Sequence, residues 1–401
     1  MEYIKGKPYF CFGKNKIKQY NYLKKDLNCD ILIIGGGVDG AVANFYLSQK
    51  YDVALVDKGR LGYACTDCAT ALLEYQFDEF AKDLRNCMSE DEIILSYKMG
   101  LDAIKKIDEF IKKYGNYCNF NLRPTFLFTN SIFSVKDMIH EFEFRKNNGF
   151  ECELITSKNN PFEFPIKAGI YCDNGGCEFN PHLFTKQMIE NSNNQNKILE
   201  YTNITQLIKQ NGGYLAITNF GEKIYCKKVI VATGFNWELL NTQNLCDRFI
   251  TYSIVTEPVK NFGWYNRSLI HDASSPHHYM RLLPDNRIIF GGEDTVFKQK
   301  PISEKQSNKK YKKLTKDLFK LFPNLKDNVS IDYKFCGTFG TTKNNLGLIG
   351  ESGINKDLLL FISCGANGII NAVKGIEIID DILQNAKNPL TKLFSPKRKN
   401  V

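Results

Sequence analysis

The chain has 401 residues, 43% apolar and 24% charged, which is enough for a sizeable core and, at this length, for two domains. Its formal net charge of +9 comes from lysines spread along the chain, densest over 298–320 and in the tail Lys397-Arg398-Lys399; with no nucleic-acid motif beside them they read as a solvated surface, a modest attraction to anionic substrates or lipids being the lesser alternative. No apolar run approaches the ~20 residues of a membrane span, Met1–Tyr20 lacks the apolar stretch of a secretory signal, and 13 cysteines without framework spacing suit a reducing cytoplasm.

In chain order, Asp30-Ile31-Leu32-Ile33-Ile34 is a continuous apolar run ending in glycines, as expected of a buried parallel strand. Helical character over 41–49 and a second strand over 52–57 complete a β-α-β unit. A 3.6-residue apolar period predicts a helix over 91–114, stopped by Gly115. A strand over 119–130 and helices over 138–146 and 181–191 follow. Two strands are expected within 198–217 around Asn211-Gly212-Gly213, and another over 227–233. The segments 248–258 and 279–292 are strand-rich, and 309–321 is helical up to Pro323. Last come an apolar strand over 358–363, the turn Gly365-Ala366-Asn367-Gly368, and a helix over 369–383.

Gly35-Gly36-Gly37-Val38-Asp39-Gly40 fits G-x-G-x-x-G and sits between a predicted strand and a predicted helix. Its first glycine permits the tight turn, the second lets backbone approach a pyrophosphate, and the third allows close helix–strand packing. The helix N-terminus favours the ligand's negative charge. Asp57 closes the second strand about 20 positions on, where a carboxylate can accept hydrogen bonds from ribose hydroxyls. A second apolar strand ending in Ala232-Thr233-Gly234 favours FAD over NAD. Cys65 and Cys68 have the spacing of a redox or metal pair, but no second pair or nearby histidine completes a zinc site. They read as a chance pair, or else as thiols close to a flavin.

These motifs, with 57–62, Thr66, 70–73, 337–342 and 365–368, resemble the D-amino acid oxidase, glycine oxidase and sarcosine oxidase family of FAD-dependent oxidoreductases, most closely an uncharacterised bacterial branch of it. The resemblance runs from about Asp30 to Leu383. It implies an α/β fold: a Rossmann-like FAD-binding domain (1–90, 166–248 and 326–401) interleaved with an α+β substrate domain (91–165 and 249–325) on an antiparallel sheet. It also implies that Gly35, Gly37 and Gly40 contact the pyrophosphate and that Asp57 holds ribose. Ile204, Ala232, Thr233 and Gly234 would border the adenine. The loop with Lys58, Arg60, Thr66 and Thr70 would follow the ribityl chain and flavin. Gly365, Asn367, Gly368 and Ile369 would set backbone amides at the pyrimidine edge of the ring.

The expected reaction is oxidation of a C–N bond in an amino acid or amine by hydride transfer to flavin, the imine then being hydrolysed. Oxygen or another acceptor would take the electrons. Arg281 reads either as a bidentate clamp for a substrate carboxylate or as a surface strand arginine. His278 and Tyr279 can hydrogen-bond substrate, with surface or packing roles as the alternative, and His271 and His277 lie nearby. Asn344 and Gly347 stand where the family carries an acid and a proline. Ile370 stands where sarcosine oxidases carry a substrate-binding lysine. Cys336 lies about one residue out of register with a covalent flavin attachment and reads as a packed cysteine. Two alternatives remain: a flavin dehydrogenase of a hydroxy acid or glycerol phosphate, and a flavoprotein that is non-catalytic or acts only with a partner. No metal, nucleic acid or transmembrane segment is expected.

Overall fold

The computed structural model describes residues 3–11, 18–240, 245–260, 262–273, 276–298, 300–365 and 367–398. Ala366, Lys399 and parts of the N-terminal segment discussed above lie outside them. The chain adopts the expected α/β class as two sheets, of eight and ten strands.

Leu27–Ile34, which ends in the apolar run Ile31–Ile34, is the centre of the smaller sheet. It pairs in parallel with Val53–Val56 on one side and Lys223–Val231 on the other. Leu358–Ile362 extends this parallel set beyond Val229–Val231, and Ile198–Leu199 extends it beyond Leu55–Val56. Side chains alternate faces along a strand. Ile31 and Ile33 accordingly join the core under helices Val38–Leu47, Pro181–Glu190 and Gly368–Leu383. Leu32 and Ile34 face the opposite core with Tyr214, Ala216 and Trp237. The antiparallel ribbon Ile204–Gln210 and Gly213–Thr218 attaches to the first half of Lys223–Val231.

The larger sheet is mostly antiparallel. Its long strand Asp247–Thr256 is flanked by Ile288–Val296 and Ile331–Thr341. One face is covered by helix Glu304–Leu321, whose Tyr311, Leu314 and Leu318 pack on Tyr252, Ile254, Met280 and Phe290. Four of its strands, Ile4–Gly6, Leu72–Glu74, Ala168–Glu178 and Ile331–Thr341, come from segments assigned by sequence to the cofactor portion. The chain therefore crosses between the sheets more often than the sequence division anticipates.

The longest helix, Glu90–Tyr114, matches its predicted span. Ser89 and Glu92 form a reciprocal capping box, and Gly115 ends it at φ +91°. The strand Ala168–Glu178 is absent from the sequence reading because Asp173-Asn174-Gly175-Gly176 carries turn chemistry. The structure absorbs those residues in a register shift opposite Arg123–Thr125, so the strand bulges without ending. No helix among the described residues is long and apolar enough to cross a membrane.

Candidate functional site

An elongated cavity of about 720 Å³ runs from the glycine loop to the face of the larger sheet that Glu304–Leu321 leaves uncovered. At one end, Gly35 adopts φ +112°, and a Cβ there would lie 2.3 Å from the carbonyl oxygen of Ala232. Only glycine permits this approach of the first loop to the Ala-Thr-Gly segment. Gly37 is the N-cap of helix Val38–Leu47, whose amides open onto the cavity. The Thr66 hydroxyl accepts from the Val38 amide at 3.2 Å, fastening the loop 60–70 against the helix start.

Asp57 accepts from the amides of Gly36 at 2.6 Å and Gly59 at 2.7 Å. Burial pushes its carboxyl upward, and these two bonds oppose the shift. The carboxylate is thus fixed in orientation at the cavity wall. Asp39 is buried within the glycine loop, and burial raises it to about 6 against hydrogen bonds from the amide and hydroxyl of Ser363. Cys65 and Cys68 both line the cavity, but burial lifts the Cys65 thiol to about 12 and Cys68 well above its ordinary value. Neither is a ready thiolate.

Of the cofactor-side residues singled out by sequence, Gly35, Gly37, Asp57, Lys58, Arg60, Thr66, Thr70, Ile204, Ala232, Gly234, Gly365, Asn367, Gly368 and Ile369 all border this one cavity. Gly40 does not. A Cβ on it would meet the Gly35 carbonyl oxygen at 1.8 Å, so it serves close packing of helix on loop.

The substrate-side expectations need correction. Tyr279 lines the cavity, with its hydroxyl 2.7 Å from Thr251 Oγ1. Its chain neighbour His278 points to the opposite face of the sheet, as period-2 alternation requires; there it stacks on Phe290 and lies near Glu293 and Asp317. Arg281 shares the face of Tyr279 but is covered. Its guanidinium donates to Glu178 Oε2 at 2.7 Å and to the carbonyls of Thr70 at 2.9 Å and Phe179 at 3.0 Å. It is 1% exposed and forms no part of the cavity lining, so its fork is committed within the protein. Cys336 faces the core under Glu304–Leu321, away from the cavity.

Sequence reading missed Asp78, Asp294 and Thr251, all of which border the cavity. Asp294 carries a misleading signal. Strict alternation from the core residue Phe290 sends it to the helix side. Glu293, at φ +61°, instead forms a bulge opposite Ile250–Tyr252 and takes the helix side, pairing with Lys310 and Lys313. The parity of the strand inverts and Asp294 turns to the cavity. Beside it His271 Nδ1 meets Glu74 Oε2 at 3.0 Å, and its Nε2 lies 3.7 Å from Asp78. Burial alone would lower this imidazole, but the charges of Glu74, Asp78 and Asp272 and the Glu74 hydrogen bond raise it to about 9.

A parallel sheet whose glycine loop, second-strand acid and two remote segments meet on one cavity defines a dinucleotide-binding oxidoreductase. The chain belongs to the FAD dependent oxidoreductase family, which matches residues 30–375, and FAD is its cofactor. γ-Glutamylputrescine oxidoreductase of Escherichia coli (strain K12) is 21% identical over 358 residues, 86% of this chain and 82% of that protein. The crystal structure of glycine oxidase from Geobacillus kaustophilus superposes with a TM-score of 0.79 at 15% identity, over 94% of this chain and all of that one. Dithionite-reduced, FAD-bound L-α-glycerophosphate oxidase from Mycoplasma pneumoniae superposes with a TM-score of 0.71 at 18% identity, over 90% of this chain and 97% of that one. The glycine cradle fits this cofactor.

Proposed function

We propose that this protein oxidises the C–N bond of an amine or amino acid, with FAD extended along the cavity and its ring against the larger sheet. The observation that carries the reading is the continuity of one cavity from the Gly35–Asp57 cradle to a polar wall of Thr251, His271, Tyr279 and Asp294. In this reading the eight-stranded sheet carries the cofactor and the ten-stranded sheet walls the substrate. Gly37 turns the positive end of helix Val38–Leu47 toward the pyrophosphate, the amides of Gly36 and Val38 being held by Asp57 and Thr66. Asp57 takes ribose, Ile204 and Ala232–Gly234 border adenine, and Lys58, Arg60, Thr66 and Thr70 follow the ribityl side. Asn367, Gly368 and Ile369 present the start of helix Gly368–Leu383 to the ring. Asn367 is oriented for this by donating to the Gln76 carbonyl.

Bound FAD would supply the two-electron acceptor for a hydride from the carbon that bears nitrogen, leaving an imine for water to hydrolyse. The chain's own groups position and exclude. Burial raises the Tyr279 phenol, so it stays protonated and offers a hydrogen bond without acting as a base. His271, raised to about 9, is held as a cation between Glu74 and Asp78 and is likewise unsuited to accept the substrate proton at neutral pH. The reacting nitrogen therefore enters as the free amine. The substrates in the names of two similar proteins, γ-glutamylputrescine and glycine, support a nitrogen compound.

The test is anaerobic titration of the purified holoprotein with amines, amino acids, hydroxy acids and glycerol phosphate, following loss of the oxidised flavin's visible absorbance. Bleaching by nitrogen compounds is expected. Bleaching by hydroxy acids or glycerol phosphate alone would overturn the proposal. Repeating the turnover in air and with an artificial acceptor separates oxygen from another electron acceptor.

A further inference from the structure

Cys246 and Cys364 meet at the seam between the two sheets. Cys364 stands between strand Leu358–Ile362 of the smaller sheet and Gly365, which lines the cavity. Cys246 immediately precedes strand Asp247–Thr256 of the larger sheet, just beyond its paired ladder. Their sulfurs lie 3.6 Å apart, Cys364 donating to Cys246, although 118 positions separate them in the chain. Cys364 is 0% exposed and Cys246 is half-buried, so one member of the pair is reachable from solvent. A Cβ on Gly340 would lie 2.6 Å from the Cys246 sulfur, so that glycine leaves the room the sulfur occupies. The Gly340 carbonyl also accepts the Gly365 amide at 2.7 Å, tying the same point to the cofactor turn. Arg398 brings charge to this spot. Its Nε is shut off from solvent and has no partner among the described residues. Burial lowers the guanidinium, against the nearby thiols of Cys364, Cys246 and Cys87. The hydrogen bond to Cys246, with burial, holds the Cys364 thiol well above its ordinary value, so Cys364 keeps its proton and donates it. A cation and a donated hydrogen bond beside a partly exposed sulfur are the surroundings of a redox-sensitive cysteine with a resolving partner.

We propose that Cys246 and Cys364 are a redox modification site, which hydrogen peroxide closes to a disulfide that fastens the cofactor turn to the larger sheet and which a dithiol reopens. The Cys246 sulfur takes one oxygen of the peroxide, the O–O bond breaks, and the other oxygen leaves as water. The Cys364 sulfur then displaces that oxygen, which leaves as a second water with the Cys364 proton. Two thiols lose two electrons and two protons, and one peroxide becomes two waters. Two-electron reduction of oxygen yields the same peroxide, so the site would respond to the protein's own turnover wherever oxygen is the acceptor. The sulfurs must approach by about 1.5 Å to reach the ~2.05 Å of a disulfide. Cys246 can follow because it lies outside the ladder of its strand. Ser363 is already tied to Asp39 and Gly365 to Gly340, so a bond at Cys364 completes a covalent tie at the centre of this turn. Release of FAD requires the cavity wall to open locally, which a cross-link over the seam opposes. None of this depends on which substrate the flavin accepts.

The experiment treats the reduced, FAD-loaded full chain with a few-fold excess of hydrogen peroxide, traps remaining thiols with an alkylating agent, and maps the non-reduced digest by mass spectrometry. A linked peptide pair carrying Cys246 and Cys364 is expected. Thiols titrated in denaturant should fall from 13 to 11, since 13 − 2 = 11, and dithiothreitol should restore them. Release of FAD, followed by the rise in free-flavin fluorescence, should be severalfold slower in the oxidised protein and return to its first rate on reduction. Cys246→Ala should release FAD at one rate with or without peroxide. Cys364→Ala removes a fully buried sulfur, so the variant at the half-buried partner is the decisive one. Peroxide that consumes other thiols while Cys246 and Cys364 are both still alkylated overturns the proposal. So does a link from Cys246 to Cys87, oxidation that halts at Cys246 without a link, or a Cys246–Cys364 link that leaves FAD release unchanged.

Discussion

Replacing Arg281 with methionine should destabilise the protein without touching substrate selectivity. The guanidinium is 1% exposed and Glu178 is 0% exposed, so the variant leaves a carboxylate in the interior without its main counter-ion. It also strips donors from the carbonyls of Thr70 and Phe179 and a cation from the ring of Phe10. Removing one member of a buried pair costs about 3–5 kcal/mol. Arg123 Nε still reaches Glu178 Oε1 at 2.8 Å, which places the expected loss at the lower end, about 3 kcal/mol, or roughly a hundredfold in the folding equilibrium. The assay is urea denaturation of the FAD-loaded protein, followed by flavin and tryptophan fluorescence, for Arg281→Met, Glu178→Leu and the double variant. The double variant should recover most of the loss, since the orphaned charge is gone and Arg123 can turn to solvent. A loss under about 1 kcal/mol for Arg281→Met, together with a KM increase confined to carboxylate substrates, would refute this reasoning and restore the clamp.

Gly40→Ala places a methyl group where only 1.8 Å separates it from the Gly35 carbonyl, so purified protein should carry little flavin; an absorbance ratio of flavin to protein equal to wild type would contradict the packing argument. The raised His271 contributes stability that is fully present below the unfolded imidazole value of about 6.5 and is lost as pH rises through about 9. The denaturation midpoint should therefore fall across that window, and His271→Asn should flatten the fall; parallel curves for the two proteins would show that the Glu74–His271 pair does not matter.

The cofactor half of the site was legible because its chemistry is local. Glycine at 35, 37 and 40 and an acid at 57 are each demanded by backbone geometry within one β-α-β unit, and periodicity locates that unit. The runs Ile31–Ile34, Val53–Val56 and Leu358–Ile362 are continuous, apolar and buried on both faces, and their pattern is unambiguous. The substrate half was less legible because its faces are set by bulges. Asp294 reaches the cavity only through the parity inversion at Glu293, and Ala168–Glu178 continues through residues with turn chemistry. Arg281 was placed on the correct face. Its fate was decided by Glu178, 103 positions away in the chain, whose proximity no local pattern reports.

The same long-range dependence explains how three remote segments become one cradle. Asp39 lies in the glycine loop and accepts both the amide and the hydroxyl of Ser363, 324 positions later, at the end of strand Leu358–Ile362. The bond closes the seam between the helix that begins at Val38 and the turn that opens helix Gly368–Leu383. It also draws the Asp39 charge toward Ser363 donors at a place where a bare carboxylate would oppose a pyrophosphate. Two helix N-termini thus face one cavity from different parts of the chain, each able to favour negative charge, one beside the glycine loop and one at Gly368.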